Sequence, residues 1–356
     1  MKKSLLALAV LAAASANAAT VYDKDGTTLA VGGRVQAVAY NGNFDGAGKD
    51  DANLKNSARL NLAGNTKLTD WVSAFAFTEW NMADGNKGQD KISTRNQFVG
   101  LDFGSFGKVT AGKQYDAFYD VIGNTDIWED CGDIGTFSDG DRRNGVIKYT
   151  YDNYGFFAQV SAQLAADKIL VAASHPVFGG NYNVNGGFAA AAGYTVDIIG
   201  GPLSFKTGYS YLEGQSSNAD DLAKGDTFKN FKQYGAALTY GNLGSGLYLA
   251  AQYNRVSFKM PVNTYDKKFS DGYEFVVNYG FENGIALQTG YLASDSKEKI
   301  AGHKTESTLI RKVPVLVTYT ANSNFYTWAE ASFDADSSET KTDNGTLLAA
   351  GARYIF

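Results

Sequence analysis

The chain has 356 residues, a formal net charge of −5 at pH 7, one cysteine and a mean hydropathy of −0.25. One cysteine cannot form an internal disulfide, which excludes a disulfide-stapled secreted domain, and the mild acidity argues against a nucleic-acid partner. After residue 18, no apolar run approaches the roughly 20 residues that a membrane helix needs. A membrane β-barrel has the same composition, because each strand offers only every second residue to lipid.

The first predicted element is a secretory signal peptide at residues 1–18. The start Met1-Lys2-Lys3 is basic, residues 5–14 are apolar but too few to span a bilayer, and Ala16-Asn17-Ala18 places small residues at a cleavage site. A buried N-terminal helix is the alternative. Cleavage after Ala18 would leave 356 − 18 = 338 residues, 19–356, as one domain, and the loss of two lysines would lower the net charge from −5 to −7.

Segments that alternate with a period of two follow along the chain. Apolar and aromatic residues alternate with polar ones at 29–40, 142–151, 202–212 and 271–281. Side chains point to opposite faces along a strand, so this period indicates strands with one apolar face. Aromatic residues crowd the ends of the apolar faces, as expected for girdles at the two interfaces of a membrane.

Short and long links alternate between these strands. The short links lie at 104–107, 152–155, 282–284 and 321–324, and the long polar links at 41–56, 82–93, 116–141, 165–185, 213–230, 257–271, 293–308 and 334–345. This rhythm predicts an all-β fold, a transmembrane antiparallel up-and-down β-barrel of about 16 strands. A barrel of that size encloses water. A soluble multi-sheet, lectin-like protein is the alternative.

The last predicted strand, residues 346–356, has one apolar wall. Counting in twos, that wall carries Leu348, Tyr354 and Phe356, whereas Arg353 is the only charge on the other wall. Chain termini normally fray into solvent. A strand that closes a membrane barrel must be paired to its end instead, because an open edge in lipid leaves backbone groups unsatisfied.

If the lumen contains water, charged side chains that point into it carry only a small desolvation cost. Such side chains then determine the function of the barrel. Arg34 and Arg59 have the clearest inward phase, whereas Arg95 is less clear because Asn96 falls on its presumed lipid side. Glu79 also has an inward phase if Trp80 faces outward, and we count it among the acids of the predicted constriction. The predicted basic group on the early strands comprises Arg34, Arg59, Arg95 and Arg142.

The third long link, residues 116–141, differs from the others. It contains the large apolar residues Val121, Ile122, Ile127 and Trp128. A loop folded into the barrel would pack these residues against the inner wall, while its acids would face the arginines and set a transverse field. An acidic loop on the cell surface is the alternative. The acids in question are Asp126, Glu129, Asp130 and Asp133.

One group of short segments in and after the third long link forms a recognisable pattern: Tyr119-Asp120, Thr125-Asp126, Gly132 and Arg142-Arg143-Asn144-Gly145-Val146. This pattern resembles the constriction loop and the next strand of the general porins of Gram-negative bacteria of the enterobacterial type. Other matching segments are Ser57-Ala58-Arg59-Leu60, Thr94-Arg95, Gly100-Leu101, Gly112-Lys113-Gln114-Tyr115 and Tyr354-Ile355-Phe356. The match covers nearly all of residues 19–356 and keeps the order of the loops.

The resemblance implies a sixteen-stranded, homotrimeric outer-membrane channel for the passive diffusion of small hydrophilic solutes and ions. It implies that residues 116–141 are the constriction loop, with Asp126 and Asp130 opposite the four arginines. It further implies that Tyr354 and Phe356 form a signal that the barrel-assembly machinery reads, and that outer-membrane lipid and lipopolysaccharide surround the barrel. No cofactor or metal ion is implied.

The loop departs from the family where Pro-Glu-Phe-Gly-Gly is usual, because Glu129-Asp130-Cys131-Gly132-Asp133 stands there. The extra acids Glu129 and Asp133 predict a pore with a mild cation preference.

Three other functions are less well supported by the sequence. Cys131 and its acidic neighbours could bind a divalent ion, but only with a convergent geometry. An outer-membrane hydrolase would need a histidine paired with a serine or aspartate, and His175 and His303 lie in different links without such a motif. A sugar-specific channel would need an aromatic track, for which Tyr40 and Phe77 are too few.

Overall fold

The computed structural model describes residues 18–41, 52–83, 92–130, 132, 134–175, 179–215, 228–259, 267–300, 303–335 and 346–356. Most of the predicted signal peptide (residues 1–17), Cys131 and Asp133 lie outside the described residues. The strands are β1 (Ala19–Lys24), β2 (Thr27–Tyr40), β3 (Asn53–Lys67), β4 (Ser73–Ala83), β5 (Ser93–Asp102), β6 (Lys108–Gln114), β7 (Arg143–Asn153), β8 (Phe156–Gln163), β9 (Ala166–Val171), β10 (Gly180–Ile198), β11 (Gly201–Gly214), β12 (Asn230–Asn242), β13 (Ser245–Lys259), β14 (Lys267–Gly280), β15 (Ile285–Ile300), β16 (His303–Asn322), β17 (Phe325–Asp334) and β18 (Leu347–Ile355).

These strands fill sixteen positions of one closed antiparallel barrel. Each strand pairs with the next along the chain, except that β8 and β9 both pair with β10 and therefore share one position. The strands β1 and β18 share another, because β1 pairs with the first half of β2 and β18 with the second half. The predicted fold class is confirmed.

The barrel closes between β18 and β2, and the pairing continues to the last residue. The Phe356 N–H donates to the Gly33 carbonyl (3.0 Å), and the Gly33 N–H donates to the Phe356 carbonyl (2.8 Å). The Phe356 ring lies across Gly33, where a Cβ atom would approach that ring to 2.8 Å. A glycine at position 33 therefore makes room for the terminal ring, and no backbone group of Phe356 is left unpaired at the seam.

The alternation read from the sequence gives each strand an outer face and an inner face. Leu348 has 48% of its surface exposed on the outside, whereas Leu347 next to it has 6% and is buried inside the barrel. The outward aromatic and aliphatic faces of β11 and β14 are likewise exposed, as in Phe205 and Phe275. An apolar outer face of this kind is typical of barrels whose outer surface faces lipid.

Four predicted short links are confirmed as turns, whereas three long links were wrong in extent. Within 257–271, β13 continues to Lys259 and β14 begins at Lys267. Residues 293–308 are strand almost throughout, because β15 and β16 form one long hairpin. Within 165–185, the chain forms β9 and the start of β10. Both segments are polar enough to be mistaken for loops. Backbone pairing needs no apolar side chains, so a hairpin can continue beyond the apolar band of the barrel.

Residues 116–141, here named the lumen loop, fold into the barrel. The loop contains a short helix, α1 (Tyr119–Ile122), followed by a 3-10 turn (Gly123–Thr125). Val121 and Ile122 are buried against inward residues of β8 and β10, and Trp128 is buried against inward residues of β14 to β18. Within the described residues, no helix has the length and apolar character to cross a membrane. The inward path predicted for this loop is confirmed.

Candidate functional site

The inner face of β2 to β5 carries three of the predicted arginines, close together. Arg34 on β2 stands directly opposite Arg59 on β3 in the strand register. Arg59 interacts electrostatically with Arg34, Arg95 and Arg142, so all four charges act on one region. The Arg59 Nε donates to Asn81 Oδ1 at 3.1 Å. We call Arg34, Arg59, Arg95 and Arg142 the arginine wall.

A β-bulge explains the unclear phase of Arg95. Glu79 pairs with Asn96 and Trp80 with Thr94, so Arg95 is the extra residue of the bulge. Both neighbours consequently reach the same carboxylate, since Arg95 Nε and Asn96 Nδ2 donate to Glu79 Oε1 at 2.7 and 3.4 Å. Glu79 therefore lies within the arginine wall, not opposite it, and neutralises Arg95.

Arg142 was predicted within a strand, and this was wrong. β7 begins one residue later, at Arg143, and Arg142 belongs to the end of the turn that leaves the lumen loop. Its guanidinium lies over the Tyr115 ring, 4.2 Å from the centroid. The Tyr115 ring is stacked on Tyr119, with the centroids 3.6 Å apart. This stack, a cation on two parallel rings, holds Arg142 against the base of the loop.

Asp126, a residue of the lumen loop, is partly buried. The Tyr119 hydroxyl donates to Asp126 Oδ2 at 2.6 Å. Burial, reinforced by the nearby Asp139, raises the pKa of Asp126 to about 7. An aspartate in this environment holds its proton through acidic conditions and ionises near neutrality. Its negative charge is therefore conditional on pH.

Asp130 is bound to the wall of the barrel. It accepts hydrogen bonds from the Tyr40 hydroxyl (2.5 Å) and from Trp328 Nε1 (2.8 Å). The Trp328 indole lies across Gly351, where a Cβ atom would approach it to 2.2 Å. Burial raises the pKa of Asp130, and these two hydrogen bonds oppose that shift. From the sequence, Tyr40 was considered for an aromatic track that would bind sugars. In the structure, its hydroxyl is hydrogen-bonded to the lumen loop.

Glu129 forms a two-pronged ion pair with Arg353 on β18. Arg353 Nη2 and Nη1 donate to Glu129 Oε2 and Oε1 at 2.5 and 3.2 Å. Arg353 was not among the predicted site residues. Its inward phase and its status as the only charge on its wall were available in the sequence, but its counter-charge lies 224 positions away.

The late strands bind the lumen loop through polar residues that sequence reasoning missed. Glu274 on β14 is almost completely buried and accepts hydrogen bonds from the Gly135 N–H (2.8 Å), the Thr136 hydroxyl (2.9 Å) and the Thr125 hydroxyl. Glu330 on β17 accepts from the backbone N–H groups of Glu129 (2.9 Å) and Asp130 (3.1 Å). Two acids of the wall therefore satisfy backbone and hydroxyl donors of the loop.

Further polar side chains of the late strands donate to loop carbonyls. Gln252 donates to Gly135 at 2.9 Å, Gln288 to Ile127 at 3.0 Å and the Tyr248 hydroxyl to Asn124 at 2.9 Å. Their signal in the sequence was an inward phase, which they share with residues that line open water. Only contact with the loop distinguishes the two roles.

The base of the lumen loop is fixed by an ion pair between Asp116 and Arg143, which are both buried. Ser210 also donates to Asp116, at 2.8 Å. Among the described side chains, no group of three or more His, Cys, Asp or Glu residues converges as metal ligands would. The acids of this lumen bind loop donors and arginines.

Comparison with known proteins identifies the family. A family model described as Gram-negative porin matches residues 4–211. The OmpD outer-membrane porin of Salmonella typhimurium strain LT2 is 31% identical over 384 residues and covers both chains completely. Among solved structures, Salmonella typhi OmpF in complex with daunomycin has a TM-score of 0.74 at 20% identity, covering 95% of this chain and all of that one.

The trimer form of OmpT from Vibrio cholerae has a TM-score of 0.67 at 16% identity and covers 93% of this chain and all of that one. At these identities the two structures show a common fold, and the sequence matches show common descent. The closed barrel of sixteen strand positions agrees with this relationship. The chain belongs to the Gram-negative porin family, whose members form channels in the outer membrane.

Proposed function

We propose that the protein is a general porin, a water-filled channel through which small hydrophilic solutes and ions diffuse passively, and that it has no catalytic activity. The observation that carries the proposal is the unequal division of the lumen. The lumen loop covers the inner face of the late strands, whereas Arg34, Arg59 and Arg142 form no ion pair with any described carboxylate. Charged groups without counter-charges need water around them.

Planar-bilayer recording of the purified protein tests this proposal. We expect an ohmic conductance that scales with bulk salt conductivity, and uncharged sugars should enter without saturable block. Saturable block by a low concentration of an oligosaccharide would favour the alternative, a substrate-specific channel. The absence of any conductance from a correctly folded barrel would contradict both.

We further propose that the channel has a mild cation preference. The acids of the lumen loop and the negative net charge of the chain support this direction. Asp126 and Asp130 are carried by the loop inside the barrel, and Asp133 belongs to the same loop in the sequence. Reversal potentials across a salt gradient measure the preference, and an anion-selective wild type would contradict it.

The assembled form is proposed to be a homotrimer. One solved relative is named as a trimer form. In this chain, the outer face of β2 to β6 has an apolar depression, and Gly64, Ala76 and Ala111 are among the residues that line it. Small side chains on a flat sheet face allow close approach of a second barrel. Cross-linking of the unboiled protein should yield a ladder that ends at three copies.

Export and assembly complete the proposal. We propose cleavage after Ala18, so N-terminal sequencing of the mature protein should begin at Ala19, where β1 starts. We also propose that the barrel-assembly machinery recognises the terminal strand through Tyr354 and Phe356, both of which are exposed on the outer face. Outer-membrane lipid and lipopolysaccharide would then cover that face.

A further inference from the structure

We propose that Arg353 and Glu129 form a latch that fixes the tip of the lumen loop and withdraws one loop carboxylate from the path of ions, a role that rests on the proposed channel function. Arg353 would thus be a residue that determines ion specificity, although it lies in the closing strand, outside the arginine wall. Glu129 would position the loop and would not attract cations.

The pair has the geometry of a strong charge-assisted contact. Two guanidinium nitrogens meet two carboxylate oxygens at 2.5 and 3.2 Å, and both side chains are largely shielded, with 12% and 16% of their surfaces exposed. A planar guanidinium that grips both carboxylate oxygens fixes direction as well as distance. Such a pair differs from an ordinary surface ion pair, which solvent screens and which fluctuates.

Arg353 is held in place from the wall side. Its remaining nitrogen, Nε, donates to Gln36 Oε1 on β2 at 3.0 Å. The guanidinium lies 4.9 Å from the Trp328 ring centroid and 5.5 Å from the Tyr326 centroid, both on β17. Contacts with β2 and β17 therefore fix the Arg353 head group before Glu129 binds it, which lowers the entropic cost of the pair.

The loop side is held at the same place. The Glu129 backbone N–H donates to Glu330, and Asp130 accepts from Tyr40 and Trp328. The tip of the loop is consequently attached to β2, β17 and β18, the strands around the seam. Among these contacts of Glu129 and Asp130 with described residues, only the Glu129–Arg353 pair joins two charged side chains. It is also the contact that connects the loop to β18, the closing strand.

The consequence for ion selection follows from charge cancellation. A bound pair of opposite charges acts as a dipole, whose field falls off faster than that of a single charge. Arg353 also repels Arg34 electrostatically. When Glu129 neutralises Arg353, this repulsion on Arg34 is reduced. Among the described acids predicted for the loop, Asp126 and Asp130 are then the ones left to act on permeating ions.

Single-channel recording of Glu129→Gln, Arg353→Gln and the swapped double variant Glu129→Arg/Arg353→Glu tests the latch. The two single changes alter the charge in opposite directions, so a field effect alone would move the reversal potential in opposite directions and leave the open-channel noise unchanged. If the pair is a latch, both single changes free the loop tip and raise the noise in the same direction. The swapped variant re-forms the pair and should restore a quiet channel.

Lys67→Gln provides the matched control, because it breaks an exposed ion pair with Asp70 in the turn after β3, away from the lumen. Its noise should equal that of the wild type. Heat-modifiable gel mobility establishes that each barrel is folded. Single variants that conduct as quietly as the wild type, or a swapped variant as noisy as the single ones, would overturn the latch. A wild type that forms no channel would instead overturn the proposed function.

Discussion

The early strands, β2 to β5, and the late strands, β13 to β17, share the same alternation of inward polar residues, but these residues have different roles. On β2 to β5, inward polar residues form the arginine wall, and only Arg95 has a carboxylate partner among the described residues. On β13 to β17, inward polar residues such as Gln252, Glu274 and Glu330 are buried beneath the lumen loop and bind it. An inward polar residue in a barrel can therefore either line a water-filled space or bind a loop.

The difference shows that the lumen loop is held from one side of the barrel. A loop could not stay inside a wet barrel through apolar contacts alone, because its backbone donors would be left unsatisfied where it touches the wall. The late wall supplies acceptors and donors for that backbone, while the early wall supplies charge. One half of the lumen holds the loop, and the other half faces it.

The largest expected effect concerns the seam where the two halves meet. Deletion of Phe356 removes two backbone hydrogen bonds to Gly33 and one outward aromatic ring. We expect almost no assembled barrel in the outer membrane, measured as the heat-modifiable fraction. Phe333→Ala removes an outward ring from β17 without touching the seam and should assemble normally. Equal assembly of the two variants would show that the terminal pairing is dispensable.

The next largest effect should come from the late wall. Glu274→Ala deprives Gly135, Thr125 and Thr136 of their acceptor, at a cost of about 1–3 kcal/mol for each buried donor left unpaired. The loop should loosen, so single-channel conductance and noise should rise.

Glu79→Ala on the early wall is the counterpart. It frees the charge of Arg95 and should shift the reversal potential toward anions while the noise stays constant. If Glu274→Ala and Glu79→Ala gave the same phenotype, the two walls would not have separate roles.

A smaller effect, dependent on pH, is expected at Asp126. Because the folded-state pKa is raised from 3.8 to about 7, the folded loop favours the protonated carboxyl and loses stability as the pH rises between those values. Ionisation also adds negative charge to the lumen, so the cation preference should increase from pH 6 to pH 8. Asp126→Asn should flatten this increase, as read from reversal potentials. A wild type whose preference is constant over that range would exclude Asp126 as the titrating group.

The smallest expected effect is the removal of one charge from the arginine wall. Arg59→Gln deletes a cation that acts on Arg34, Arg95 and Arg142, but three arginines remain. A modest shift of the reversal potential toward cations is expected. The noise should not change, because among the described residues Arg59 has no hydrogen bond or ion pair with the loop. A shift toward anions would be incompatible with a basic wall that faces the permeating ions.

The sequence predicted the barrel well because strand alternation is a local signal. The faces of β2, β11, β14 and β18 and the inward path of residues 116–141 followed from a period of two and from apolar residues in a polar link. Long hairpins such as β15–β16 could not be recognised, since pairing beyond the membrane leaves no apolar face. The β-bulge at Arg95 likewise broke the alternation on which the phase depended.

The site was harder to predict, because its contacts join distant parts of the chain. Arg353, Glu274 and Glu330 all have an inward phase, yet nothing local separates a pore-lining residue from one that holds a loop. The acids predicted to point into the lumen illustrate the same point. Glu79 belongs to the arginine wall, Glu129 is bound to Arg353 and Asp130 is bound to Tyr40 and Trp328.

Attachment of a bulky group to a single cysteine at position 59 tests most directly whether ions pass in front of the arginine wall. Arg59→Cys in a Cys131→Ser background would be treated with a large, charged thiol reagent during bilayer recording. Leu60→Cys in the same background is the control, because Leu60 points to the opposite face of β3. The account predicts a stepwise fall in conductance at position 59 and none at position 60. An unchanged conductance after complete modification of position 59 would contradict it.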